Sequence, residues 1–136
     1  MKKIVFACVH NAGRSQIAAG WARRLAGGRL EVVSAGTQPG PHLNVQVVAA
    51  MREAGIDLSG VQPQLLTPEL ARGADYIVTM GCGESCPVIA GVKRLDWPIT
   101  DTRGQPLEVV RQIRDEIKAR VEELFRAETV LDSSHP

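Results

Sequence analysis

Aromatic side chains are scarce. Two Phe, two Trp and one Tyr make up 4% of the 136 residues, so the core must be built from Val, Ile, Leu and Ala within an apolar fraction of 44%. An excess of charge is also missing: 16 Lys and Arg stand against 15 Asp and Glu, for a net charge of +1. The arginines are scattered, so neither nucleic acid nor an anionic membrane surface is expected as a partner. No stretch approaches the roughly 18 apolar residues of a membrane helix. The apolar run after Lys2-Lys3 is broken by His10 and Asn11 and has no small-residue cleavage site, so it does not read as a signal peptide. The chain reads as cytosolic. Its cysteines are few and odd in number: Cys8, Cys82 and Cys86. In a reducing compartment that argues against structural bridges and for reactive thiols. With no repeat, linker or low-complexity segment, residues 1–136 read as one domain.

Strand and helix patterns alternate. Ile4 to Ala7 reads as a buried strand. Ser15 to Leu25 reads as a helix with Ile17, Ala18, Trp21, Ala22 and Leu25 on one face, ended by Gly27-Gly28. Leu30 to Ser34 is a second strand, and Thr37 to His42, with Pro39, Gly40 and Pro41, is a loop. Asn44 suits the N-cap of a helix carrying Val47, Val48, Met51 and Ala54 and closed by Gly55. Thr67-Pro68-Glu69 opens a short helix that Gly73 ends. Tyr76 to Met80 is a third buried strand and Val92 to Leu95 a short fourth. After a loop from Asp101 to Gln105, Pro106 opens a long helix striped by Val110, Ile113, Ile117, Val121 and Leu124. The tail, about residues 128–136, reads as frayed. Apolar strands separated by helices predict an α/β fold, a small doubly wound four-stranded parallel sheet flanked by helices. Ligands in such sheets bind at the carboxyl ends of strands, so the Cys8, Cys82 and Asp101 loops are expected along one edge.

The most informative segment is Cys8-Val9-His10-Asn11-Ala12-Gly13-Arg14-Ser15 between the first strand and the first helix. Asn11 and Gly13 tolerate positive φ, which lets the N–H groups from Val9, His10, Asn11, Ala12, Gly13, Arg14 and Ser15 converge on a tetrahedral oxyanion. The helix start adds unpaired N–H groups and a positive dipole end. Arg14 can grip two anion oxygens in a fork, and the same field stabilises a Cys8 thiolate placed to attack what the loop holds. Ser15 is expected to donate to that sulfur. His10 reads as a solvent-facing loop residue rather than a general base.

A second thiol loop, Met80-Gly81-Cys82-Gly83-Glu84-Ser85-Cys86-Pro87, follows the third strand. Its two cysteines can close a disulfide if the loop reshapes. They read as a relay: one attacks an oxidised or adducted Cys8, the other resolves the resulting disulfide, and an external reductant resets the pair. The residues alone do not decide which attacks first. With only His10, His42 and His135 beside three cysteines, zinc-type spacing is lacking and no metal is expected.

These motifs, with Ser34-Ala35-Gly36-Thr37, Gly55-Ile56-Asp57-Leu58-Ser59 and Arg114-Asp115-Glu116-Ile117, resemble the thioredoxin-coupled arsenate reductases over about residues 2 to 126. That family shares the fold of low-molecular-weight protein tyrosine phosphatases. The resemblance implies reduction of arsenate to arsenite. In it, Cys8 attacks arsenic, Cys82 attacks Cys8, Cys86 attacks Cys82, and thioredoxin reduces an exposed Cys82–Cys86 bond. It gives Asp101 the part of general acid, although the usual Asp-Pro is here Asp101-Thr102. It implies a monomer with no tightly bound cofactor. Asn11 and Ser34 match the family's potassium site, but Ala19 stands where potassium-binding members carry an acidic residue. Mycothiol-coupled relatives typically lack the loop pair, so Cys82 and Cys86 favour thioredoxin. Phosphate or sulfate would fit the same loop. Two alternatives remain: a phosphomonoesterase, for which the aromatic walls are missing, and an oxyanion-sensing redox protein without turnover. Weak phosphatase activity is expected as a side reaction.

Overall fold

The computed structural model describes residues 1–82, 86 and 89–127; the tail expected to fray lies outside the described residues. Strands β1 (Lys2–Cys8), β2 (Leu30–Gly36), β3 (Tyr76–Thr79) and β4 (Lys93–Asp96) form one parallel sheet in the order β2-β1-β3-β4. Helices α1 (Arg14–Ala26), α2 (Val45–Glu53), α3 (Pro68–Ala71) and α4 (Leu107–Ala127) occupy the connections and the end of the described chain. The expected α/β sheet flanked by helices is present. The last strand is displaced by one residue from the expected Val92–Leu95, and its Lys93 and Asp96 are exposed. It is an edge strand, where charge on the open side discourages further pairing.

Alternation along β1 divides the interior. Ile4, Phe6 and Cys8 join the main core, to which α1, α2 and α4 all contribute. Val5 packs on the other face with Ile77 and Ala74, and Ala7 packs there with Cys82 and Cys86. The α4 stripe is buried as its spacing predicts, from Val110 at 0% exposure to Leu124 at 5%. Helix α1 departs from the one-faced expectation. Every residue from Arg14 to Ala22 is buried, whereas Leu25 is only half-buried. The cause is a second layer: a Cβ on Gly20 would stand 3.0 Å from Met51 Cε and 3.3 Å from Ile56 Cγ2.

The predicted caps form. Gly27 closes α1 at φ +57° and donates its N–H to Arg23 O. Asn44 Oδ1 accepts the N–H groups of Gln46 and Val47, and Thr67 Oγ1 accepts that of Leu70. Among the described residues no helix is long and apolar enough to cross a membrane. Because Ile117 is fully buried in the main core, Ile117→Ala is expected to lower unfolding free energy by about 2–5 kcal/mol. Exposed Gln112→Ala should stay within about 0.5 kcal/mol. Urea unfolding midpoints check both.

Candidate active site

Between Cys8 at the end of β1 and Arg14 at the start of α1, each carbonyl of the turn from Cys8 to Ala12 is drawn outward. Thr37 N–H donates to Cys8 O at 3.2 Å, Gln38 N–H to Val9 O at 2.8 Å, Gly40 N–H to His10 O at 2.9 Å and Asn44 N–H to Ala12 O at 2.9 Å. Gln16 Nε2 supplies the fifth bond, to Asn11 O at 3.1 Å. The N–H groups are left for the concave side, next to the unpaired first turn of α1. Asn11 takes the expected left-handed conformation, φ +52°. Gly13 does not: it lies at φ −141°. Glycine is needed there for a different reason, since a Cβ would overlap the Thr102 hydroxyl.

The hydrogen bonds behind the loop fix the direction of the one that reaches Cys8. Gln64 N–H donates to Asn11 Oδ1 at 3.0 Å, which orients the amide. Asn11 Nδ2 therefore donates to Ser15 Oγ at 2.7 Å. That leaves the Ser15 hydroxyl hydrogen for Cys8 Sγ, 2.9 Å away. Asn11 N–H is a second donor to the same sulfur, at 3.3 Å. Two donors thus converge on a sulfur that is 2% exposed.

Arg14 is 8% exposed. Its Nη1 donates to Ile99 O at 3.1 Å and its Nη2 pairs with Asp101 Oδ2 at 3.5 Å. Both expected partners, Arg14 and Asp101, thus line one cavity of about 480 Å³ with Cys8, His10, Ala12 and Gly13. The Val9, Asn11 and Ser15 side chains do not line it. The Val9 side chain packs on the opposite face of the sheet, and Asn11 and Ser15 act from behind the loop. Among the described residues no Phe, Trp or Tyr lines the cavity; Phe6 and Trp97, with ring centroids 6.0 Å apart, pack in the core. His10 braces the rim. Gln38 O can only accept, so His10 Nδ1 donates to it at 3.0 Å, and Nε2 accepts from Arg103 Nη1 at 3.4 Å.

Three positioning residues escaped the sequence reading. Thr102, 1% exposed, seats the Asp101 loop against Gly13. Asn44 ties together the oxyanion loop, the start of α2 and, through Nδ2 to Thr102 O at 3.4 Å, the Asp101 loop. Its capping signal was legible, but its other two bonds were not. Gln64 orients Asn11 through a backbone N–H, which no side-chain motif announces.

Cys82 and Cys86 form a disulfide with a Cα–Cα distance of 5.6 Å. The resemblance implied an exposed bond, but the two residues are 6% and 2% exposed, packed with Ala7, Val9 and Leu66. Cys8 lies on the other face of the sheet, with the main core. Gly81, at φ +88°, stands where a Cβ would overlap the Arg14 guanidinium.

A family model described as low molecular weight phosphotyrosine protein phosphatase matches residues 3–134. The chain belongs to that family. Within it, the chain is 37% identical over 130 residues to an arsenate reductase of Bacillus licheniformis, covering 88% of this chain and 92% of that one. It is 36% identical over 128 residues to the glutaredoxin arsenate reductase of Synechocystis, covering 92% and 97%. Among solved structures, the thioredoxin-dependent arsenate reductase of Corynebacterium glutamicum superposes with a TM-score of 0.83 at 36% identity, over 99% of this chain. This chain spans 64% of that protein, less than two thirds of its length.

The potassium site of some family members does not fit these residues. Ala19 offers no side-chain oxygen. Asn11 Oδ1 already accepts from Gln64 N–H and Gln16 Nε2, and Ser34 O accepts from Gln64 Nε2 at 2.9 Å. The donor chain instead ends on sulfur. Ser15→Ala should therefore slow alkylation of reduced Cys8 by iodoacetamide at pH 7 roughly tenfold, the scale of a lost hydrogen bond to a charged group. An unchanged alkylation rate would contradict the assigned donor direction.

Proposed function

We propose that this protein reduces arsenate to arsenite through Cys8, Cys82 and Cys86 and is recycled by thioredoxin. One combination carries the reading: Cys8 receives two donors inside an anion-shaped loop, and two further cysteines at the neighbouring strand end are joined to each other. A hydrolase would need only the first part.

Arsenate docks on the N–H groups from Val9 to Ser15, and Arg14 turns from Asp101 to fork onto two of its oxygens. The Cys8 thiolate attacks arsenic(V). Hydroxide leaves as water, taking its proton from the Asp101 carboxyl. The Cys82 thiolate then attacks Cys8 Sγ. The As–S bond breaks with its electron pair going to arsenic, which departs as arsenite, and a Cys8–Cys82 disulfide remains. Cys86 attacks Cys82, Cys8 is released as thiolate, and a reductant with two thiols reopens the last bond.

Strand order supports Cys82 as the first attacker. Cys8 ends β1 and Cys82 follows β3, the adjacent strand. Gly81, against Arg14, is the pivot over which the Cys82 sulfur crosses the edge of the sheet. An intramolecular disulfide suits a dithiol donor, which favours thioredoxin. Every residue in the scheme belongs to one chain, which supports a monomer, and thiol chemistry of this kind suits a reducing cytosol. A phosphatase reading has less support, because among the described residues no Phe, Trp or Tyr lines the cavity.

The test removes the last thiol. Cys86→Ser is expected to release about one arsenite per protein and to stop with a Cys8–Cys82 disulfide, read by peptide mass mapping. Sustained consumption of reduced thioredoxin by that variant would overturn the relay.

A further inference from the structure

Arg94 lies on β4, outside the cavity over Cys8, and the mechanism above gives it no part. Its Nη1 donates to the Cys86 carbonyl at 3.1 Å and its Nε to Asp96 Oδ1 at 3.0 Å. The Thr79 hydroxyl donates to the same Asp96 oxygen. Thr79 is 2% exposed and ends β3 in register with Asp96, so this support is rooted in the sheet. The hydrogen bond from Thr79, and then that from Arg94, hold the Asp96 carboxyl below the usual carboxylate range. Asp96 therefore stays ionised and keeps the guanidinium aimed.

We propose that Arg94 is a positioning residue that latches Cys86 to β4, favouring the Cys82–Cys86 bond over the free thiols and leaving Cys82 as the loop cysteine that travels to Cys8. The inference rests on the relay proposed above and adds a reason for its order. In the sheet order β2-β1-β3-β4, Cys8 ends β1 and Cys82 follows β3, whereas the Cys86 peptide is tied one strand further away. In the closing exchange the Cys86 thiolate attacks Cys82 Sγ, one S–S bond replaces another, and Cys8 leaves as thiolate with no net change in electrons. A carbonyl held where that product forms draws the exchange forward.

The full chain is equilibrated in dithiothreitol redox buffers, and the Cys82–Cys86 bond is counted by differential alkylation and mass spectrometry. Arg94→Ala should move the equilibrium about tenfold toward the dithiol, equivalent to about 30 mV for a two-electron couple. Arg94→Lys, which keeps one donor, should recover part of the shift. In a Cys82→Ser background, arsenate should yield little Cys8–Cys86 bond, and adding Arg94→Ala should raise its rate several-fold. An equilibrium that Arg94→Ala leaves unchanged, or a Cys8–Cys86 rate that it does not raise, overturns the latch. The dithiothreitol equilibrium involves no arsenate. A shift there without arsenate reduction by the unaltered chain sinks the proposed function and spares the latch; arsenate turnover without a shift does the reverse.

Discussion

The site depends on five carbonyl groups pointing the wrong way for an anion. From Cys8 to Ala12 each is held outward by a donor from another segment: Thr37, Gln38, Gly40, Asn44 or the Gln16 side chain. Turning a peptide carbonyl out turns its N–H in, so the concave surface is built by what grips the convex one. A buried polar backbone without partners would cost more than the turn could recover, and these outer bonds remove that cost. Arg14 and the two donors on Cys8 then work inside a frame that is fixed before any ligand arrives.

The same sheet that frames the proposed nucleophile separates it from the other two cysteines. Alternation along β1 sends Cys8 to the face shared with α1, α2 and α4, and sends Ala7, with the disulfide against it, to the other. Chemistry between the two sets of sulfurs must pass over the carboxyl edge of the sheet. That edge is also the switch point of the strand order, where chain connections diverge and a crevice opens. In the proposed relay, the closeness of Gly81 to Arg14 puts the crossing point against the side chain proposed to grip the anion. An oxyanion in the loop and a displaced Cys82 segment would therefore contact the same guanidinium.

Much of this was legible in the chain because it is local. The α4 stripe, the Asn44 and Thr67 caps, the Gly27 stop and the strand–loop–helix layout around Cys8 all follow from neighbours a few residues apart. What escaped is long-range. Thr102 meets Gly13 across 89 positions, and the reason for that glycine is the hydroxyl filling its missing side chain. The burial of α1 all round depends on Met51 and Ile56. The polar β4 was misplaced by one residue because an edge strand carries no apolar run to mark it. The resemblance supplied chemistry but gave the Cys82–Cys86 bond the wrong exposure, since burial there is set by packing against Ala7, Val9 and Leu66.

In the proposed mechanism, main-chain N–H groups of one loop hold a tetrahedral oxyanion against Cys8. Titrating the reduced, isotope-labelled protein with inorganic phosphate, which binds without oxidising sulfur, and following backbone amide resonances tests it most directly. The largest shifts are expected at the amides from Val9 to Ser15 and at the Arg14 side chain, saturating with one phosphate per chain. Shifts scattered over surface lysines, with the loop amides unmoved, would contradict it.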